Sequence, residues 1–350
     1  MGERESRARE RVLDGLRGVA ALMVFLIHAN GIGLRELGRI GNAIADHGKY
    51  GVTIFFVVSA YSLCLSVSPA FEGRDVSWVG YFVRRAFRIV PMYFFALAAF
   101  AVTGMVEIKS VASLLAHVTF ANIVMPQYAN DVIRVEWSIA VEVAFYLLFP
   151  LLILVHRARR PILILVSITV LAFTLRTSVS SALGEEFWQH RGFNILWHLY
   201  AFIIGIACFI CIRRGDHMNG PAWLCIGGAT MLATLSVMVG EGQHSGPVFA
   251  IATALVITAF HRGSRACEWL SRQIPVFLGR ISYSIYLLHA PIIWSFVGHG
   301  LSTPLWMACV LGGTIGVSLI TYLFIEKPMI EMGRRVAGNI SARRSAPALS

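Results

Sequence analysis

Long apolar segments recur along the whole chain, and their length constrains the fold more than any other feature. Most approach the roughly 20 residues that a helix needs to cross about 30 Å of hydrocarbon. They show none of the alternation of apolar and polar residues that is typical of membrane β-barrels. The pattern therefore predicts an all-α, polytopic membrane helical bundle of about ten transmembrane helices. The predicted segments are about 16–34, 51–68, 90–106, 136–155, 161–178, 193–212, 222–239, 247–260, 276–297 and 304–325.

Composition supports a membrane protein with one domain. The 350 residues are 57% hydrophobic and 14% charged, whereas soluble domains carry roughly 25% charged residues. We expect one integral-membrane domain over 1–335, with a possible interfacial or re-entrant piece at 110–125. The Ala-, Ser- and Arg-rich stretch 336–350 is predicted to be a disordered cytoplasmic tail.

Basic residues predict the orientation. With the N-terminus in the cytoplasm and ten crossings, 23 of the 30 Lys and Arg fall on the cytoplasmic side. Both termini are then cytoplasmic, as the positive-inside rule requires, and the predicted location is the inner (plasma) membrane. This topology accounts for the net charge of +11, so no nucleic-acid partner is expected. The first apolar segment lacks a small-x-small cleavage site, so we expect it to be retained.

An arginine and a histidine share one face of the first predicted helix. Arg17 and His28 are eleven residues apart, which is almost three turns and about 16 Å along a helix axis. In a membrane-spanning helix the arginine would lie at one edge and the imidazole near the midplane. An ionisable group at that depth is costly, so His28 is a candidate functional residue.

Three titratable residues from different predicted helices reach a similar depth. From the cytoplasmic edge, His28 lies about 18 Å deep, Glu142 about 21 Å and His289 about 20 Å. Ser59 and His198 fall near the same layer. Each of these residues also has a purely structural interpretation. Glu142 would form a buried ion pair, His289 would hydrogen-bond a backbone carbonyl that Pro291 leaves without a helix partner, and His198 would simply be packed.

A second constellation is the basic run just ahead of the third predicted segment. Arg84, Arg85 and Arg88 lie within five residues, and each guanidinium presents a planar fork suited to phosphate oxygens. An ordinary topogenic cluster is the alternative. Together with Arg17, the cluster suits a long ligand with a phosphorylated head and a reactive end, which is the shape of acyl-coenzyme A.

The cysteines predict no metal or redox site. Cys208 and Cys211 form a C-x-x-C within an apolar segment, but no second pair accompanies them. Packing is the preferred interpretation, and we expect no metal.

The chain resembles the acyltransferase 3 family of integral-membrane O-acyltransferases, which includes O-antigen and Nod-factor acetyltransferases. Several short motifs carry the resemblance, in the family's order and over nearly the whole chain. One departure is Ala60-Tyr61, where the family usually has Gly-Phe, and this change is expected to alter acceptor fit more than chemistry. The matching motifs are Leu13–Ala21 with His28, Gly51–Ser59, Arg84–Pro91, Trp137-Ser138 with Glu142, Phe145, Tyr146 and Pro150, Tyr283–His289 and Ile325–Pro328.

The resemblance implies transfer of an acyl group, usually acetyl, from cytoplasmic acyl-CoA to a hydroxyl of a cell-surface or lipid-linked glycan. A neutral imidazole is the natural base for activating a hydroxyl, so His28 is the expected general base, with Glu142 orienting it. A covalent acyl-histidine intermediate remains an alternative. Acyl-CoA is expected as the donor substrate, with no bound cofactor. The predicted substrate-binding residues are Arg17, Arg84, Arg85, Arg88, Ser59 and His289.

Two other functions are open at the level of sequence. A transporter or proton-coupled exporter also uses midplane histidines and glutamates, although no inverted repeat is visible. An acyltransferase acting on a small hydroxylated molecule such as a macrolide fits the same residues. We also predict a tunnel through the bundle past His28, because the thioester arrives from inside and most surface glycans are finished outside.

Overall fold

The chain is described by a computed structural model, and its regular structure is helical. The structure describes residues 3–29, 38–104, 110–125, 128, 132, 135–182, 191–215, 225, 228–229, 231, 245–297 and 302–345. Within these residues no β-strand occurs. The α-helices of these ranges are α1 (Glu3–His28), α2 (Gly38–His47), α3 (Gly51–Ser66), α4 (Trp78–Val102), α5 (Val111–Val118), α6 (Trp137–Ile153), α7 (Pro161–Ala182), α8 (Ile195–Arg214), α9 (Ser245–His261), α10 (Gln273–Arg280), α11 (Ser282–Ser295), α12 (Thr303–Thr321) and α13 (Lys327–Ser345).

Several of these helices are long and apolar enough to cross a membrane. Five helical stretches qualify among the described residues, and the number is seven if each of two bent helix pairs is one span. One pair joins α9 to the 3₁₀ segment Arg265–Ser271 at 102°, and the other joins α10 to α11 at 74°. The all-α, polytopic membrane class is therefore confirmed. The five stretches are Gly48–Ser66, Trp78–Val102, Trp137–Arg157, Ile195–Arg214 and Thr303–Ser341.

The predicted segments match described helices with two kinds of exception. Most of the predicted segment 222–239 lies outside the described residues. The first helix ends at His28 instead of continuing to residue 34. The sequence that follows contains Asn30 and Gly31, which are poor helix formers. His28 is consequently the last residue of α1, and its side chain is exposed.

The arginine cluster lies inside a helix and not ahead of one. Ser77 caps the N-terminus of α4 by accepting a hydrogen bond from the Gly80 backbone N–H at 3.1 Å. The helix therefore begins at Trp78, about three turns earlier than the predicted start at residue 90. It continues through Pro91. Arg85 and Arg88, three residues apart, share a helix face that points into the bundle.

Glycines let two pairs of helices approach backbone to backbone. A Cβ atom added to Gly279 of α10 would lie 1.7 Å from the Asp14 carbonyl oxygen of α1. A Cβ atom added to Gly205 of α8 would lie 2.5 Å from the Val57 carbonyl oxygen of α3. Small residues at helix contacts are typical of membrane bundles, because close packing replaces the hydrophobic effect there. The α1–α10 contact brings α11, which follows directly after Ile281, alongside the end of α1.

The C-terminal segment differs from the prediction of a disordered tail. α13 continues through residues 336–345 as a regular helix. Ala337 is 1% exposed, so this part of the helix is packed. A Cβ atom at Gly333 would lie 2.6 Å from the Cβ of Phe87 in α4. Close packing on α4, together with the high helix propensity of alanine and arginine, explains the order of this segment.

Candidate active site

A wide cavity, here called the vestibule, opens at the end of the bundle that carries Arg17. Its volume is about 790 Å³. Six arginines and three acidic residues line it, so its wall is strongly cationic. The arginines come from four helices, α1, α4, α8 and α13. They are Arg9, Arg17, Arg85, Arg88, Arg213 and Arg334, and the acidic residues are Glu10, Asp14 and Glu72.

A second, narrow cavity continues from the vestibule into the bundle. It has a volume of about 70 Å³. Arg17, Arg85 and Arg88 line both cavities, and we call them the throat arginines because they lie where the two meet. Arg84 was predicted to join them, but it is not among the residues that line either cavity. Arg84 and Arg85 are adjacent in α4, so their side chains leave the helix in different directions.

The throat arginines are held in place by different contacts. Arg17 donates to Asp14 Oδ1 at 2.8 Å and to Ser62 Oγ at 2.7 Å. The Arg85 guanidinium lies 5.9 Å and 5.7 Å from the ring centres of Tyr81 and Tyr146. Within the described residues, the buried Nε of Arg85 has no hydrogen-bond partner. A buried guanidinium with a donor to spare is suited to an anionic ligand.

The carboxylate that lines the narrow cavity is that of Glu142, and two hydroxyls donate to it. Glu142 Oε1 accepts hydrogen bonds from Ser59 Oγ at 2.5 Å and from Tyr146 Oη at 2.6 Å. The structure thus brings together two predicted residues, Ser59 and Glu142. The expected pairing of Glu142 with His28 is not among the hydrogen bonds of the described residues. Glu142 instead projects into the cavity from α6, on the face that carries Tyr146 one turn later.

Tyr286 lies between the narrow cavity and the predicted base. Its hydroxyl donates to the Val135 carbonyl at 2.6 Å and accepts from Ser138 Oγ at 2.6 Å. Its ring centre is 6.1 Å from that of Phe55 and 6.1 Å from that of His289. Ser138, Tyr286 and Phe55 all line the narrow cavity, whereas neither His28 nor His289 is among its lining residues. Among the described residues, the lining of the narrow cavity thus reaches Tyr286 and does not include the histidines.

Two imidazoles, here called the histidine pair, meet beyond Tyr286. His28 is exposed and His289 is fully buried. Their ring centres are 4.8 Å apart in an edge-to-face arrangement, and His289 Nε2 is 3.2 Å from His28 Nδ1. The prediction that residues from the first and ninth predicted segments share a site agrees with this contact.

Backbone carbonyls define which ring atoms carry protons. His28 Nδ1 lies 2.8 Å from the Val24 carbonyl oxygen, and His289 Nδ1 lies 3.0 Å from the Ile285 carbonyl oxygen. Because a carbonyl only accepts, both Nδ1 atoms carry hydrogen in the neutral rings. His289 Nε2 then accepts from His28 Nδ1, and His28 Nε2 keeps a lone pair. The arrangement can therefore hold a neutral base whose partner is His289.

Sequence reasoning missed a buried network beside this site. Glu136 forms an ion pair with His117 and accepts from Tyr93 Oη at 2.8 Å. His117 and Glu136 are 0% exposed at their side chains. The network joins α4, α5 and the start of α6, and it adjoins Val135, whose carbonyl holds Tyr286. The signal available in the sequence was Glu136 itself, a carboxylate at the edge of an apolar segment.

Two further predictions concern packing residues. His198 Nε2 lies 2.7 Å from the Gly192 carbonyl oxygen, and its ring packs on Trp137 with centres 5.0 Å apart. These contacts agree with the structural interpretation of His198, in which the side chain is packed and does not belong to the site. Cys208 Sγ contacts the Ala254 carbonyl oxygen at 3.6 Å. No group of three or more potential metal ligands occurs among the described residues.

The Ala60-Tyr61 departure lies in the vestibule wall. Ala60 packs closely against Gly205. A Cβ atom added to Gly205 would lie 2.8 Å from the Cβ atom of Ala60. Tyr61 Oη lies 2.7 Å from His261 Nε2, and both residues line the vestibule. The departure therefore adds a hydroxyl on the arginine side of the site, away from the histidine pair.

The fold and the site define a polytopic membrane protein whose arginine-lined vestibule narrows toward a hydrogen-bonded carboxylate, with a histidine pair beyond it. The chain matches the family model described as an acyltransferase domain, acyltransferase 3, over residues 11–323. It belongs to this acyltransferase family, as the resemblance of its motifs indicated. No solved structure matches the chain.

Three relatives show how far the similarity extends. O-acetyltransferase OatA of Staphylococcus aureus (strain MRSA252) is 25% identical over 374 residues, covering 95% of this chain and 59% of OatA. The exopolysaccharide production protein ExoZ of Rhizobium meliloti is 26% identical, covering 85% of this chain and 94% of ExoZ. The putative membrane-bound transacylase BcsY of Komagataeibacter xylinus is 25% identical, covering 97% and 88%. The chain thus spans under two thirds of the length of OatA but most of ExoZ and BcsY.

Proposed function

We propose that this protein is a membrane O-acetyltransferase that moves an acetyl group from acetyl-CoA to a hydroxyl of a cell-surface or lipid-linked glycan. One observation carries the proposal: the arginine-lined vestibule continues into a narrow cavity that holds a hydrogen-bonded carboxylate, and a histidine pair lies beyond Tyr286, which lines that cavity. Membership of the acyltransferase family and the name of OatA support acetyl transfer. The name of ExoZ supports a polysaccharide acceptor.

The donor enters through the vestibule. Arg17 and Arg88 bind the diphosphate of acetyl-CoA, and Arg85 offers its buried Nε as a further donor. The distribution of Lys and Arg supports a cytoplasmic location for this end of the bundle, where acyl-CoA is made, in a protein of the plasma membrane. Arg84 belongs to the topogenic charge and does not contact the donor.

The pantetheine arm extends into the narrow cavity. Its amides meet Ser59 and Tyr146, whose hydroxyls Glu142 orients by accepting from both. We assign Glu142 this positioning role in place of the orientation of His28 that the sequence suggested. The cavity is too small for the arm as it stands, so Tyr286 and Phe55 shift when the thioester advances to the histidine pair.

Chemistry takes place at His28 Nε2. This atom accepts the proton of the acceptor hydroxyl as its oxygen bonds to the thioester carbonyl carbon. The carbon–sulfur bond then breaks, and the proton passes to the leaving thiolate to give coenzyme A. His289 stabilises the transient imidazolium because its Nε2 accepts from His28 Nδ1. A prior acetyl-imidazole on His28 would use the same nitrogen.

The acceptor approaches the exposed side of His28, opposite the throat arginines. The hydroxyl that reacts therefore lies on the far side of the bundle from the vestibule. Transfer past the membrane midplane follows from this arrangement, because the donor and the acceptor reach His28 from opposite ends. Labelled acetyl found only on acceptors confined to the vestibule side would overturn this part of the proposal.

The test is acetyl-CoA turnover by the full-length protein in liposomes. We expect slow release of coenzyme A by the wild type, accelerated by a lipid-linked glycan acceptor, and loss of release in His28→Ala. His156→Ala is the matched control. His156 contacts the Ile153 carbonyl and lines neither the vestibule nor the narrow cavity. A folded wild type that neither binds nor cleaves acetyl-CoA would overturn the proposal and favour a transporter.

A further inference from the structure

Two arginines and a histidine line the outer part of the vestibule, away from the throat. Arg9, Arg213 and His261 line the vestibule but are not among the residues that line the narrow cavity. Arg213 is already engaged by Glu72 at 2.7 Å. Arg9 is only 9% exposed although it carries a charge. Its guanidinium lies in the vestibule wall and presents a planar fork of donors, which suits the oxygens of an anionic ligand.

Arg9 is accompanied by an oriented imidazole. His261 Nε2 is bonded to Tyr61 Oη at 2.7 Å, so the ring is fixed and Nδ1 is the nitrogen that a ligand would contact. Arg9 is close enough to interact electrostatically with both Tyr61 and His261. The hydroxyl of Tyr61 that orients His261 is the one introduced by the Ala60-Tyr61 departure. The three residues form one cluster contributed by α1, α3 and α9.

This cluster lies at a definite distance from the throat. Arg9 precedes Arg17 by eight residues in one uninterrupted helix, which is about 12 Å along the axis. The vestibule therefore offers two separated cationic places for one ligand. Coenzyme A carries two separated phosphate groups, a diphosphate in its chain and a phosphomonoester on the ribose.

We propose that Arg9 and His261 bind the ribose 3′-phosphate of the acyl-CoA donor, while the throat arginines bind its diphosphate. The proposal rests on the donor assigned under the proposed function. Charge-assisted hydrogen bonds to a phosphate discriminate strongly against a ligand that lacks it. The protein accordingly selects acetyl-CoA over acetyl-dephospho-CoA, which differs only by this phosphate.

The experiment compares kcat/KM for acetyl-CoA and acetyl-dephospho-CoA with the full-length protein in neutral phosphatidylcholine liposomes. We expect the wild type to prefer acetyl-CoA by about tenfold or more. Arg9→Gln and, independently, His261→Asn should bring the ratio toward one by slowing acetyl-CoA alone. The ratio is internal to each variant, so a smaller folded fraction cancels. Arg265→Ala, an exposed arginine that lines neither cavity, is the control and should keep the wild-type ratio.

The outcomes separate this proposal from the proposed function. Turnover of both donors at equal rates by the wild type would overturn the phosphate subsite and leave the acetyltransferase intact. If the wild type turned over neither donor, both the phosphate subsite and the acetyltransferase function would be overturned. An anionic lipid headgroup is the other source of phosphate. If phosphatidylglycerol in the liposomes altered wild-type turnover of both donors alike, and Arg9→Gln removed that response while keeping the donor ratio, the subsite would belong to lipid and the proposal would be wrong.

Discussion

The two ends of the site are built in different ways. The vestibule draws arginines from four helices, and three of these arginines also line the narrow cavity. The histidine pair consists of two rings from α1 and α11, one exposed and one fully buried. Several arginines share the positive charge of the vestibule. In the histidine pair, by contrast, each ring is in direct contact with the other.

This difference separates binding from chemistry in the proposed reaction. A ligand head held by several guanidinium groups supplies affinity that is distributed over many contacts. The reacting proton, in contrast, passes through a single nitrogen atom, His28 Nε2. Substitutions at the histidine pair should therefore act mainly on kcat and those at the vestibule mainly on KM.

The largest effect is expected for His28→Ala. Loss of a general base should lower kcat by about 10²- to 10⁴-fold, whereas the dissociation constant for acetyl-CoA should stay close to the wild-type value. Steady-state turnover and equilibrium binding in the same liposomes measure the two quantities. If acetyl-CoA binding fell as steeply as turnover, the separation between the two ends would break down.

Arg88→Ala tests the other end. Removal of a charged contact with phosphate should raise KM for acetyl-CoA by about 10- to 100-fold with a much smaller change in kcat. Arg262→Ala, an arginine outside both cavities at the end of α9, is the matched control. A main effect on kcat would show instead that Arg88 contributes to the chemical step.

His289 offers a sharper test of the histidine pair. His289→Ala removes one of the two acceptors for His28 Nδ1–H and leaves the Val24 carbonyl, so it should lower kcat by about tenfold, as expected for one lost hydrogen bond to a charged group. His289→Gln keeps a carbonyl acceptor and should recover part of the activity with an unchanged KM. Equal activity in the two variants would mean that packing at this position matters and the hydrogen bond does not.

The smallest effect concerns the edge of the vestibule. Hydrogen bonds from Arg213 and Arg74 lower the pKa of Glu72, which lies in the 3₁₀ segment between α3 and α4. A carboxyl whose pKa is lowered in the folded state stabilises the fold at pH values above its ordinary pKa, which is about 4. This contribution disappears as the pH falls further.

The measurement is thermal unfolding of wild type and Glu72→Gln as a function of pH. The Tm difference should be small at pH 7, because the ion pair is exposed. It should vanish on acidification, when the wild-type carboxyl is protonated as well. A Tm difference that grew on acidification would contradict the conclusion that these arginines stabilise the ionised Glu72.

Sequence alone predicted the helical membrane class and the neighbourhood of several candidate residues. Apolar segment length indicated the all-α membrane class, since hydrocarbon thickness sets helix length whatever the contacts. Arg17, Arg85 and Arg88 line the path as expected, and His28 meets His289. These predictions succeed because helical spacing and depth are one-dimensional quantities that a sequence contains.

Partnerships between helices were predicted less well. Glu142 was assigned to His28, but it bonds to Ser59 and Tyr146. The two carboxylate partners depend on how α3 and α6 rotate against each other, and depth along a helix contains no information about rotation. Glu136 with His117 was missed for a similar reason, since this pairing depends on how α5 lies against the start of α6.

The last helix has a consequence for how the protein is made. Arg334 of α13 lines the same vestibule as Arg9 of α1, so this wall joins residues from near both ends of the described sequence. A ribosome adding about 5–20 residues per second needs roughly 20 s to a minute to travel from one to the other. Between residues 289 and 334 the growing chain carries both members of the histidine pair but presents an unfinished pocket to the donor. Each molecule therefore acquires its chemistry before it acquires the whole of its substrate site.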